Sequence, residues 1–197
     1  MIPQVAIERL ERKLGLQFSE EEKKAIHQEV RMTNVAKNTL ILKMGEKSYC
    51  IYFIIKGLVR GYYLDSNGEE VTKCFAYENG FCSTEGLRKE EVSSFYIDAL
   101  EDCVFLAMPY ELLKRFMCAN RRINTSVQRL FAEEIERLEV RSRQMMMMDA
   151  KERYRAFEKD YAKVKHRIKK QMIASYIGIK PGSLSRIQKN IHSSTEN

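Results

Sequence analysis

Between Tyr161 and Thr195 stand eight basic side chains, Lys163, Lys165, Arg167, Lys169, Lys170, Lys180, Arg186 and Lys189, and no acidic one. Cations at that density, with Gln171, Ser183 and Ser185 among them, suit the holding of phosphate oxygens and the reading of base edges. A basic run is also the ordinary composition of a solvated face, so the pattern beneath the charge decides. Counting Lys170 as position one, apolar residues fall at positions four, eight, ten, fifteen and eighteen: Ile173, Ile177, Ile179, Leu184 and Ile187. Ala174 at position five allows two helices to approach closely, and Gly178 at position nine supplies the turn between them. Pro181 suits the first turn of a second helix, where its missing N–H costs nothing.

This spacing predicts a helix-turn-helix whose second helix runs over about 181–190 and points Lys180, Gly182, Ser183, Ser185, Arg186 and Lys189 outward. Arg186, with Ser185 beside it, is expected to contact a base, because Arg pairs bidentately with guanine O6 and N7. Lys180, Ser183, Lys189, Lys170 and Gln171 are expected to hold phosphates of double-stranded DNA.

The charge is divided along the chain. Of 34 basic and 27 acidic residues, 16 and 18 lie in 1–119, whereas 18 and 9 lie in 120–197, so the first part nets −2 and the second +9. With 44% hydrophobic and 31% charged residues the chain can bury a core, and 197 residues make one or two domains. No apolar stretch approaches the length of a membrane span, and the first residues lack a basic region followed by an apolar one; a cytoplasmic protein without membrane contact is expected.

Catalysis finds no support. His27, His166 and His192 lie far apart, Glu85 has no identifiable partner, and no Gly-x-Ser-x-Gly, His-Glu-x-x-His or P-loop occurs. The cysteines at 50, 74, 82, 103 and 118 are odd in number and widely spaced; they are read as reduced packing residues, with no metal site and no cofactor.

The elements that must position the basic region follow from local signals. Ser19 with Glu22 forms a capping box, predicting a helix over about 20–31 with Ala25, Ile26 and Val30 inward and a shorter amphipathic helix before it. Short segments rich in β-branched and aromatic residues follow: 40–42, 50–55, 58–64, 71–75, 95–99 and 103–108, with Asn67-Gly68 marking a hairpin. Tyr52, Tyr62, Tyr63 and Tyr77 are read as strand packing. Tyr110–Phe116 reads as a short helix, and a long one should span 121–147. Its apolar positions Ile123, Val127, Leu130, Phe131, Ile135, Leu138 and Met145 form a narrow seam. The seam either packs on its own β domain or pairs with a second copy, and its length favours the second copy. Met145 to Met148 are expected to fill an irregular gap at its end. Asp149 with Glu152 is a second capping box, so 148–149 reads as a hinge.

The order of parts resembles the Crp/Fnr family of bacterial transcription regulators. Gly45-Glu46, Ile55-Lys56-Gly57, the 65–69 hairpin, Gly80-Phe81 and the stretch from Ala99 to Pro109 resemble a cyclic-nucleotide-binding β-roll. The stretch from Ile173 to Ile179, with Leu184-Ser185-Arg186-Ile187, resembles the family's DNA-reading element. The resemblance implies an α+β chain: an N-terminal antiparallel β-roll or jelly-roll with flanking helices as effector domain (1–120), a dimerisation helix (121–148) and a helix-turn-helix domain (149–197). It implies a homodimer reading a pseudo-palindromic site, with RNA polymerase as a partner.

Departures from the family pattern shape the remaining expectations. The positions matching the effector pocket are Phe81, Thr84, Glu85, Gly86, Ser93 and Ser94 in the phosphate cassette and Arg141 and Ser142 on the long helix. No Arg stands where family members that bind cyclic AMP pair Arg with Ser, so a cyclic phosphate would lose its charge partner; another effector, or none, is expected. The N-terminal cysteine cluster of the iron–sulfur members is missing as well. Gly182 replaces the Glu that reads cytosine in many members, and only eight residues follow Lys189, too few for a full wing. These two departures leave open a second reading, an interaction module of the same fold without specific DNA binding.

Overall fold

The computed structural model describes residues 2–84 and 91–193. Two helices open it, α1 (Gln4–Leu14) and α2 (Glu20–Glu29). Helix α1 ends at Gly15, which takes the left-handed φ of 70° and donates its N–H to the Glu11 carbonyl. The Ser19–Glu22 capping box forms as expected, with Ser19 N–H donating to Glu22 Oε2 at 2.8 Å and Glu22 N–H to Ser19 Oγ at 3.2 Å. The expected helix over 20–31 stops two residues early: Val30 is its buried C-cap, and Arg31 already belongs to a strand.

Among the described residues eight strands follow: β1 (Arg31–Val35), β2 (Leu40–Leu42), β3 (Cys50–Lys56), β4 (Leu58–Leu64), β5 (Glu70–Tyr77), β6 (Phe81–Cys82), β7 (Tyr96–Ala99) and β8 (Cys103–Pro109). They form two four-stranded sheets, ordered β1-β8-β3-β6 and β2-β7-β4-β5. Strand β8 pairs antiparallel with β1 (Thr33 opposite Phe105) and with β3 (Phe53 opposite Leu106). Ile54 and Phe105 from one sheet and Val59, Ile97 and Ala99 from the other share one buried cluster, which is the core of the sandwich. The turn between β3 and β4 is tight: Gly57 has φ 111°, and a Cβ there would lie 2.4 Å from Cys103 Sγ and 2.8 Å from its Cα.

Helices α3 (Tyr110–Ala119), α4 (Arg121–Met147), α5 (Ala150–Asp160), a 3₁₀ turn (Lys165–Arg167), α6 (Lys170–Tyr176) and α7 (Pro181–Ser193) complete the described chain. A second core packs Ile7, Leu10 and Ile26 with Phe53, Leu106 and Leu112, and it receives Ile123 and Val127 from the first turns of α4. Leu130 and Phe131 pack against its margin. The α4 seam is therefore divided: its first part is covered by its own chain, while Ile135 is 52% exposed and Leu138 39%. The methionines depart from the gap-filling expectation, since Met146 and Met147 are 74% and 78% exposed. They lie in the last turn of a helix whose buried residues, Ile123 and Val127, lie at its other end.

The chain divides into two compact units, Met1–Tyr63 with Phe75–Glu133 and Leu64–Cys74 with Glu134–Asn197. Residues 64–74, the turn between β4 and β5 with the first part of β5, thus group with the C-terminal helices. The turn is closed by Asp65, whose Oδ1 accepts from Asn67 N–H (2.8 Å) and Glu69 N–H (2.9 Å), with Gly68 at φ 81°. Among the described residues no helix is long and apolar enough to cross a membrane.

Candidate nucleic-acid interface

Helix α6 and helix α7 are joined by the turn 177–180. Ile173, Ala174, Tyr176, Ile177 and Leu184 are buried, and Ile179 and Ile187 are half-buried, so all the apolar positions of the sequence pattern turn away from solvent. Gly178 takes φ 71°, and a Cβ on it would meet Met145 Cε at 2.7 Å. The left-handed φ calls for glycine at this position, and the Met145 methyl packs against its open side. Lys180 opens α7 by accepting from Ser183 N–H (3.0 Å) and Leu184 N–H (3.3 Å).

The opposite face carries the polar set. Lys170, Gln171, Lys180, Gly182, Ser183, Ser185, Arg186 and Lys189 are all exposed. Nothing lies within 4 Å of a Cβ built on Gly182, so neither packing nor backbone conformation demands a glycine there. Ser185 Oγ lies 3.5 Å from the Pro181 carbonyl, as a helical serine bonding back one turn does. Gln188 donates to the Tyr154 hydroxyl at 3.0 Å and ties α7 to α5. Lys165 is drawn away from the basic run: its Nζ lies 2.5 Å from Glu158 Oε1, a hydrogen bond that raises its pKa.

Beneath this face lies an aromatic cluster. Phe157 and Tyr161 of the α5 end pack on Tyr176, with ring centroids 5.2 to 5.6 Å apart. Burial pushes the Tyr161 hydroxyl well above the usual tyrosine range. The C-terminal carbonyls of the α6 region are met by two cations. Arg141 of α4 donates to the Tyr176 carbonyl, and Arg153 Nε donates to the Ile177 carbonyl at 2.8 Å while its Nη1 reaches Met148 O at 2.6 Å. Cations at that end offset the negative pole of the helix dipole. No local pattern marked Arg153, whose partner carbonyls are set only by the packed helices.

The positions assigned to an effector pocket are distributed differently. Phe81 is half-buried with its ring 5.2 Å from that of Phe53; Thr84 and Ser93 are buried and Ser94 is exposed. Ser93 is committed to structure: its Oγ donates to the Phe95 carbonyl at 2.7 Å, and its backbone bonds Gly45 and Glu46 at 2.8 and 2.9 Å. Glu85 and Gly86 lie outside the described residues. Arg141, expected to face a ligand, instead places its guanidinium over Tyr176, and Ser142 is exposed. A different cation is buried in the β-roll: Arg60 on β4, 3% exposed, donates from Nε and Nη2 to the two Asp98 carboxylate oxygens at 3.2 and 2.9 Å and stands 4.3 Å from the Tyr62 ring centroid. Its only sequence signal was a charge interrupting an apolar strand.

With this geometry in view, comparison with known proteins gives a consistent result. Residues 32–120 match the family described as cyclic nucleotide-binding domain. The chain is 24% identical over 127 residues to the anaerobic regulatory protein of Haemophilus influenzae; the match takes in 64% of this chain and 49% of that protein, so the chain spans about half the length of this curated relative. Solved structures with the same fold include FixK2 of Bradyrhizobium japonicum, with a TM-score of 0.75, 17% identity, and coverage of 84% of this chain and 86% of that one. The c-di-GMP responsive global regulator CLP of Xanthomonas campestris gives 0.72, 13%, 90% and 93%. A protein of Eubacterium rectale described as a Crp/Fnr-family transcriptional regulator gives 0.71, 18%, 90% and 85%. The sheet-rich part is a cyclic nucleotide-binding domain in fold. Over most of its length the chain shares the fold of these three solved structures.

Proposed function

We propose that the protein is a homodimeric, sequence-reading DNA-binding transcription regulator of Crp/Fnr type. The observation that carries this reading is the helix-turn-helix itself, with every patterned apolar residue turned inward and the whole polar and basic set exposed. Arg186 reads a base, with Ser185 beside it, while Lys180, Ser183, Lys189, Lys170 and Gln171 hold flanking phosphates. Two such elements, about one helical turn apart, address a pseudo-palindromic site. The uncovered part of the α4 seam, Ile135 and Leu138, pairs with a second copy. The roll takes an effector other than cyclic AMP or none, since the cassette region offers no Arg between Cys82 and Phe95 other than Arg88, which does not precede a Ser. RNA polymerase is the expected protein partner.

Selection from a random duplex pool by the purified protein without effector tests this reading. Enrichment of a two-fold symmetric sequence is expected. Sequence-blind, steeply salt-dependent binding would leave only the electrostatic part of the reading, and no binding at low salt would overturn it.

A further inference from the structure

Strand β5 stands at the end of its sheet, and among the described residues no strand pairs with the outward row of its backbone N–H and C=O groups. At the hairpin end of that row sits Ser175 of α6. Its Oγ accepts from Thr72 N–H at 2.8 Å and donates to the Glu70 carbonyl at 2.9 Å. One hydroxyl, with one proton to give and lone pairs to receive, thereby fills the place of a neighbouring strand for two alternate residues of the edge. The contact is buried on one side only: Thr72 is 1% exposed, with its own hydroxyl oxygen buried without a hydrogen-bond partner, whereas Glu70 is exposed and Ser175 half-buried. Around it the same segment is gripped from other directions, Tyr176 and Ile177 by the two arginines and Gly178 by Met145.

We propose that Ser175 is a positioning residue, a latch that fixes the helix-turn-helix on the β4–β5 hairpin and so sets the angle at which α7 is presented. The proposal rests on the DNA-binding reading above and adds to it the element that orients the reader. In the latched arrangement Lys180, Ser183, Ser185, Arg186 and Lys189 are all exposed, so the latch leaves the reading face open and holds it ready. Releasing it frees α6 and α7 to reorient, and that freedom must be lost again on binding.

The test uses the full chain and two variants, Ser175→Ala and Ser175→Thr, the second keeping the hydroxyl. Amide exchange of Thr72 in the free protein reads the contact; affinity for the selected duplex, with its salt slope, reads the positioning. For Ser175→Ala the expected results are faster Thr72 exchange, roughly fivefold weaker binding with an unchanged salt slope, as loss of one hydrogen bond implies, and recovery in Ser175→Thr. Unchanged Thr72 exchange would overturn the latch. Faster exchange with equal or tighter DNA binding would overturn its positioning role. Failure of the wild-type protein to select any site would overturn the DNA reading, and the positioning role with it, whatever the exchange data show.

Discussion

The Arg141 guanidinium lies 3.6 Å from the centroid of the Tyr176 ring and donates to the carbonyl of the same residue. One side chain thus satisfies a helix-end carbonyl and stacks on the aromatic ring that belongs to it. A planar, permanently charged group is suited to both tasks, which a lysine ammonium cannot perform together.

Arg141→Ala should accordingly lower the unfolding free energy by about 1 to 2 kcal/mol, from a charged hydrogen bond and a cation–π contact that are both partly solvated. Arg141→Lys should recover less than half of this. Urea titration of both variants measures it.

Arg186 and Lys170 are exposed on neighbouring helices, yet their substitutions should differ in kind. Arg186→Ala should cost roughly 1 to 3 kcal/mol at one base position and relax the preference there. Lys170→Ala should weaken binding uniformly across sequences and reduce the salt slope by about 1. Titrations of the selected site and of single-base variants, at several salt concentrations, separate the two.

Gly57→Ala should destabilise the roll by at least about 2 kcal/mol, because a side chain at φ 111° is strained and its Cβ would overlap Cys103, backbone included. By contrast, nothing within 4 Å meets a Cβ at Gly182, so Gly182→Ala should be neutral or slightly stabilising. Thermal melts of the two variants make the comparison.

Cys103 provides a pH dependence. Its thiol, buried and bonded to the Leu58 and Glu101 carbonyls at 3.6 and 3.1 Å, is pushed up to about 11 from an ordinary value of 9.0, chiefly by burial. The unfolded chain releases this proton near pH 9 and the folded chain near pH 11. The stability it contributes is therefore complete below pH 9 and is lost as pH rises through that window, roughly 1 kcal/mol by pH 10. Denaturation midpoints at pH 8.5 and 10 should fall less in Cys103→Ala than in the wild type.

The exposed stretch of α4 predicts an assembly. The double substitution Ile135→Asp with Leu138→Asp should leave the fold intact and convert a particle of twice 23.1 kDa to one of that mass in light scattering. An unchanged mass would remove this face from the interface.

Much of the architecture was legible because its signals are local. The two capping boxes, the Asn67-Gly68 hairpin, the limits of α4 and the inward residues of the helix-turn-helix each depend on spacings within one or two turns. Strand β1 was not legible: Arg-Met-Thr-Asn-Val is mostly exposed, and its conformation is decided by pairing with β8, some seventy residues further on. The bonds of Ser175 to Glu70 and Thr72 span still more of the chain, 105 and 103 residues, with no pattern near either end to announce them. Arg141 shows a third limit. Its position on the helix was right, but the resemblance that placed it toward a ligand carried no information about Tyr176, the ring on which its guanidinium lies.

Arg60 and Asp98 face each other across β4 and β7 as directly paired residues, their side chains only 4% and 18% exposed. A slip of β7 by two residues would keep every apolar side chain on its proper face, and hydrophobic burial alone would scarcely oppose it. Such a slip would leave two charges in the dry sheet, each opposite an uncharged neighbour, at a cost of several kcal/mol. The pair therefore works as a key for strand alignment: its contribution lies less in how firmly the sheet holds than in how few wrong versions of it can form.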